Sequence, residues 1–316
     1  MIRHVLVALV AVLLLMSAGG AAPLSLPASA GPGAEPPAAP DAPPAAPDPA
    51  PPGGEGPGAE FVGKFAENLV AAEFLAGYDL IAWCSGDAFL ALPAGDREGT
   101  TNWFCYVEKD QWHAVYGKWD GEKAEFRRMV HFRLDPSGKI VRLDDLSGRD
   151  FDVPYCRVLA DSGPRFRAVK ESGKARFNPY LRPVKDGIET WALPPVVEGF
   201  RILHGVSYRW RYSADGKEFK GEDRYGGNLR AVTPAPDKVT LIGDPEQEIP
   251  TVGDIFVVLR FGDRFFALGI LSRFGYSMVM SGMWVHNAVD DDPAPRTESA
   301  PAKKPGSTEA EGPATK

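Results

Sequence analysis

Apolar positions first settle into a helical spacing just after residue 60. Phe61, Phe65, Leu69, Ala72 and Leu75 recur every three or four residues and so share one stripe. The spacing predicts a helix over 60–76. Gly77 would close it, because glycine takes the left-handed, helix-ending conformation without steric cost. Beyond it the pattern is of strands and turns. Asp79 to Cys84 and Ala88 to Leu92 read as strands split by Ser85-Gly86-Asp87, and Trp103 to Val107 reads as another. Trp112 to Trp119 leads through Asp120-Gly121 into Phe126 to Leu134, a hairpin signal. Asp135-Pro136-Ser137-Gly138 then turns the chain into Lys139 to Leu143, completing a three-stranded meander.

The pattern returns twice. Arg201 to Tyr212 turns at Asp215-Gly216 into Glu218 to Glu222, and Ile255 to Phe261 turns at Gly262-Asp263 into Arg264 to Leu271. Tyr276 to Val285 follows Gly275. The spacing has no fixed period, which argues against a propeller or solenoid. The segment 145–199, with six prolines, is the least regular and reads as a joint between two β subdomains. The fold class expected is α+β, mostly antiparallel meanders and hairpins with one N-terminal helix.

The ends change the picture. Arg3 precedes twelve unbroken apolar residues, Val5 to Met16, and then Ser17 to Ala22, all small. This is the order of a secretory signal. The run is shorter than the roughly 20 residues that span a bilayer. Cleavage after Ala21 is expected, giving a signal peptide at 1–21, with Ala28-Ser29-Ala30 as a second option; an uncleaved anchor is the alternative. Residues 22–59 hold 13 of the chain's 30 prolines, with mostly Ala and Gly between them. Proline removes backbone donors, and large apolar groups are scarce, so a disordered spacer is expected. Residues 290–316 read as a second disordered tail. The domain is then 60–289, one unit or two, with 30 Lys/Arg against 32 Asp/Glu. That balance argues against a nucleic-acid partner. The chain is expected to be exported, periplasmic or extracellular, with no transmembrane helix once cleaved.

Cys84, Cys105 and Cys156 are the three cysteines. In an oxidising compartment they imply one disulfide and one leftover thiol. Cys84 with Cys105 is the expected pair, since both lie in strand-like runs. A nucleophilic cysteine is the alternative.

Candidate chemistry is scattered. His113, His131, His204 and His286 sit in separate runs without a ligand spacing. His113 and His131 are the metal candidates, although no metal or other cofactor is expected. His131 falls on what reads as the less buried face of its strand. The acidic run 144–152 supplies Asp144, Asp145, Asp150 and Asp152 as candidate carboxylates for general acid–base work or Ca²⁺. Arg165, Arg167, Lys170, Lys174, Arg176 and Arg182, interleaved with Phe166, Phe177 and Tyr180, form a basic strip suited to an anionic envelope component or surface polymer. Tyr208-Arg209-Trp210-Arg211-Tyr212 alternates strictly, with aromatics on one face and arginines on the other. The nucleophile-elbow, phosphate-loop, CxxC and dinucleotide motifs are all missing.

The stretch Phe126 to Leu146, with Ser137-Gly138-Lys139-Ile140-Val141, is similar to the terminal strands of NTF2-like domains. No function or residue is carried over from that resemblance. The reading that follows is an exported, tethered, β-rich binding or structural module of the cell envelope. The runner-up is a motif-poor secreted hydrolase using the carboxylates of 144–152. Mass spectrometry of exported protein should find Ala22 as the first residue; a mature chain beginning at Met1 would overturn the cleavage.

Overall fold

A computed structural model describes residues 58–169, 177–194, 196–197, 201–235, 237–280 and 283–288. Its first element is one long helix, α1 (Ala59–Leu90), followed by a single turn, α2 (Ala94–Arg97). The apolar stripe does not stop at residue 76. Leu69, Ala72, Leu75, Tyr78, Ile81 and Ser85 are all buried on one side of α1. The two strands expected over 79–92 are therefore the second half of this helix. Ser85 is a buried helical residue whose hydroxyl hydrogen-bonds the Tyr116 hydroxyl at 2.9 Å.

Gly77 lies mid-helix and ends nothing. A Cβ there would stand 2.6 Å from the Trp112 indole. That indole is held by Phe74 and Tyr78, at ring-centroid distances of 4.9 and 6.2 Å. The glycine is present because a side chain packs where its Cβ would be.

β1 (Asn102–Glu108), β2 (Gln111–Asp120), β3 (Glu125–Leu134) and β4 (Ile140–Leu143) form an antiparallel meander in chain order. The expected turns are present. Asp120 Oδ1 accepts the amides of Glu122 and Lys123, and Asp135 Oδ1 those of Ser137 and Lys139. In the first of these loops the left-handed residue is Ala124, at φ 52°, and Gly121 has no positive φ.

The irregular segment contains helix α3 (Asp152–Ala168), which admits Pro154 in its first turn and Pro164 near its end. It then gives a hairpin, β5 (Asn178–Val184) and β6 (Gly187–Leu193). With β9 (Ser207–Tyr212) and β10 (Phe219–Tyr225) these make an antiparallel sheet ordered β10-β9-β6-β5. A small sheet joins β7 (Val196–Val197), β8 (Arg201–His204) and β11 (Arg230–Val232).

The last sheet runs β12 (Val239–Gly243), β13 (Ala267–Ser272), β14 (Gly275–Met280), β15 (Met283–Ala288). β12 and β13 are parallel, joined through helix α4 (Val252–Phe261). Residues 255–261, expected as a strand, are thus helical. The Thr251 hydroxyl accepts the Asp254 amide and caps the helix. Residues 252–258 are buried without a break, so no amphipathic period marks them.

The architecture is α+β with largely antiparallel sheets. α1 touches β1 to β5 and α4 and is the wall they share. Leu69, Ile81, Phe104, Trp191, Trp210, Phe256 and Ile270 belong to one continuous core. Cys84, Cys105 and Cys156 are all free thiols. The expected Cys84–Cys105 bond is absent because Cys84 sits on α1 and not on a strand beside β1.

Glycines 63 and 77 make opposite predictions. Gly63, in the same helix, has nothing within 4 Å of where a Cβ would sit. Gly63→Ala should stabilise by up to about 1 kcal/mol through helix propensity. Gly77→Ala should destabilise by about 1–3 kcal/mol through overpacking on Trp112. Urea unfolding of both variants checks the signs.

Candidate functional site

Four of the sequence candidates for chemistry, His113, His131, Asp145 and Asp152, belong to one hydrogen-bonded chain. His113 on β2 and His131 on β3 meet, with Nδ1 of His113 2.9 Å from Nε2 of His131. His131 Nδ1–H donates to the Asp145 carbonyl at 2.7 Å, which leaves Nε2 as an acceptor. His113 Nδ1–H then donates to it, and the Tyr106 hydroxyl lies 3.2 Å away. Tyr106 in turn receives Arg128 Nη1 at 3.2 Å. Arg128 grips Asp152 with two bonds of 2.7 Å, both side chains being almost wholly buried. His131 is only 1 % exposed, so its face, read as the wetter one, is covered. The covering includes Tyr106, His113 and Asp145, brought in from β1, β2 and the loop after β4.

Burial, then the neighbouring His131, pulls His113 down to about 4. Burial also lowers His131. Both are neutral near pH 7. No group of three or more His, Cys, Asp or Glu suited to a metal occurs among the described residues. The pair, with Tyr106 and the ion pair, knits the meander to α3.

The four aspartates do not share a cleft. Asp152 is engaged by Arg128. Hydrogen bonds from Ser147, then from Arg149, hold the Asp145 carboxyl well below the usual range. Arg149 also bridges to Glu108 at 3.2 Å, placing a cation inside the acidic loop. Asp144 and Asp150 are exposed. None of the four lines the cavity described next.

The basic strip is divided between elements. Arg165, on α3, pairs with Asp161 at 2.9 Å and lies 3.7 Å over the Phe219 ring. Arg167 is exposed on the same helix. Lys170, Lys174 and Arg176 lie outside the described residues. The interleaved aromatics are packing groups: Phe166 meets Trp210, Phe177 meets Tyr208, and buried Tyr180 donates to Asp79. Trp210 and Tyr212 are likewise buried, with Tyr208 stacked on Trp210. On the other face of β9 the arginines are not simply solvated.

That other face carries a row of charges across all four strands. Register places Arg182 opposite Glu189, and Trp191 opposite Arg209, which is itself opposite Asp223. Glu189 accepts from Arg182 Nη1 at 3.1 Å, Arg209 Nη1 at 3.2 Å and Trp191 Nε1 at 3.0 Å. Asp223 accepts from Arg209 Nε at 2.9 Å and pairs with Arg211. Arg209 also lies 5.5 Å from the ring centres of both Trp191 and Tyr225.

Above this row the N-terminal half of α1 does not close onto the sheet. The gap is a half-open cavity of about 460 Å³. Its floor is Arg182, Trp191 and Arg209; its wall is Ala66 to Asn68 with Val70 and Ala71; Val252, at the start of α4, closes one end. Asn68 fixes that end by donating to the Pro250 carbonyl at 2.9 Å. The fork of Arg209 is filled by Glu189 and Asp223. Arg182 is not filled: among the described residues only its Nη1 is engaged. Glu67, Asn68 and Trp191 were not singled out by sequence. Arg182 and Arg209, singled out in the basic strip and the alternating strand, were the signs of this site in the sequence.

No family model, curated protein or solved structure matches this chain. The segment similar to NTF2-like domains forms β3, its turn and β4 of the meander.

The buried histidines set an acid limit. His113 and His204 are both drawn down to about 4 by burial, from an ordinary value near 6.5. Between those values the folded chain binds fewer protons than the unfolded one, so stability falls as pH drops from about 6.5 to about 4. Each contributes on the order of 3 kcal/mol over that window. Asp254 acts in the opposite sense, because burial raises it to about 6. Its folded form holds the proton more tightly, which favours the acid side. Denaturant midpoints should therefore fall between pH 6.5 and 4, less steeply in His204→Leu and more steeply in Asp254→Asn.

Proposed function

We propose that this chain is an exported binding module of the cell envelope, whose cavity holds a small ligand bearing an anionic group. The observation that carries the reading is Arg182: a half-buried guanidinium on the cavity floor with Nε and Nη2 open among the described residues. A guanidinium with open donors suits a carboxylate, which it meets with two parallel bonds. The row beneath leaves that guanidinium only partly answered. Glu189 and Asp223 are paired with Arg182, Arg209 and Arg211 in that row, which leaves the open donors of Arg182 directed at the cavity. The volume falls within the range of small-molecule sites, and the lining combines polar groups with the apolar side chains of Val70, Ala71, Trp191 and Val252.

Export is inferred from residues 1–21, and the spacer 22–59 would then be an arm in front of the domain. The carboxylates of 144–152, on which the hydrolase alternative rests, are engaged by arginines or exposed, and none lines the cavity.

The test is calorimetric titration of the folded chain with monocarboxylates carrying a flat or branched apolar group, with and without an amino group. At least one should bind. Arg182→Met should weaken it by about 10- to 100-fold, the value of a charge-assisted hydrogen bond. Arg182→Lys should retain part of the affinity. Absence of binding across the panel, or affinity unchanged in Arg182→Met, would overturn the proposal.

A further inference from the structure

We infer that the ligand is a zwitterion, a free α-amino acid with an apolar side chain. This rests on the anion-binding reading above and adds a second charge to it. The cavity has two charged walls of opposite sign. Arg182 offers open donors from the sheet floor. Glu67 faces the same space from α1, and its carboxylate makes no hydrogen bond or ion pair with any described residue. The cation one turn before it, Lys64, is hydrogen-bonded to Glu60 at 2.6 Å and acts on Glu67 only through its charge.

An open carboxylate and an open guanidinium on opposite walls disfavour a simple anion, which Glu67 would repel. They favour a molecule with a carboxylate at one end and an ammonium near it. Between the two charged groups the lining is apolar, with Val70, Ala71, Val252 and Trp191. Asn68, on the same wall, has its amide nitrogen committed to the Pro250 carbonyl. Its side-chain oxygen is left as an acceptor for an ammonium.

The discriminating experiment is titration of the full chain with L-phenylalanine and L-leucine beside their deaminated counterparts, 3-phenylpropionate and 4-methylpentanoate. At least one amino acid should bind about tenfold or more tightly than its counterpart. Glu67→Gln should erase that advantage by weakening the amino acid while the counterpart binds as well as before or more tightly, since a charge-to-amide change removes both the ammonium partner and the repulsion of a lone anion, and little volume. Glu67 is exposed at the helix surface, so the variant should fold, which thermal unfolding checks. If the amino acid and its counterpart bind equally, and both are lost in Arg182→Met, the anion site stands and the zwitterion inference falls. If none of the four binds, both fall together.

Discussion

The ion pair between Arg128 and Asp152 is the joint on which the rest of the arrangement hangs. It ties the third strand of the meander to the first residue of α3, inside the protein, with two bonds of 2.7 Å. Such a pair is held by geometry more than by net energy. Removing one partner strands a buried charge at a cost of about 3–5 kcal/mol, whereas replacing both can be neutral. Here the geometry propagates. Arg128 also orients Tyr106, and through it the two histidines. From its pinned start α3 runs along the central sheet, meeting Trp210 through Phe166 and Tyr212 through Asp161. The far face of that sheet is the cavity floor.

The central sheet therefore does two jobs on two faces. One face gives its aromatic rings to the core under α3. The other arranges arginines and carboxylates in a row under α1, where each charge pairs with one on a neighbouring strand and Arg182 alone keeps donors open toward the cavity. Closer approach of α1 would desolvate this row, which is costly for charged groups. The cavity lies between these charges on a sheet face and a helix that approaches but does not cover them.

Much of the fold was legible. Each hairpin with an Asp-initiated turn is present, because an aspartate side chain that accepts local amides makes a turn with little help from elsewhere. The first half of α1 was equally plain. Its second half is hidden because Gly77 and Ser85-Gly86-Asp87 look like breaks in the chain. The spacing of Tyr78, Ile81 and Ser85 continues the stripe, and only the indole of Trp112, 35 positions away, explains the glycine. α4 was hidden by burial on all sides, although Thr251-x-x-Asp254 is a capping pattern. Two prolines concealed α3. Of the cavity, Arg182 and Arg209 stand out in the sequence as basic or alternating residues. Glu67 and Trp191 do not, because the site exists only where residues of a helix and a sheet, more than a hundred positions apart in sequence, come together.

Two of the three thiols lie at the centre of this packing, Cys105 at 1 % exposure and Cys156 at 0 %. Burial raises both well above the ordinary thiol range, so neither forms an appreciable thiolate while the chain is folded. An alkylating or oxidising reagent can reach them only when the surrounding structure opens. Their positions differ in kind: Cys105 is on the inner strand face beside α1, and Cys156 is inside α3. The two sulfurs are thus natural timekeepers for separate parts of the molecule, their modification rates set by how often the meander and α3 come apart.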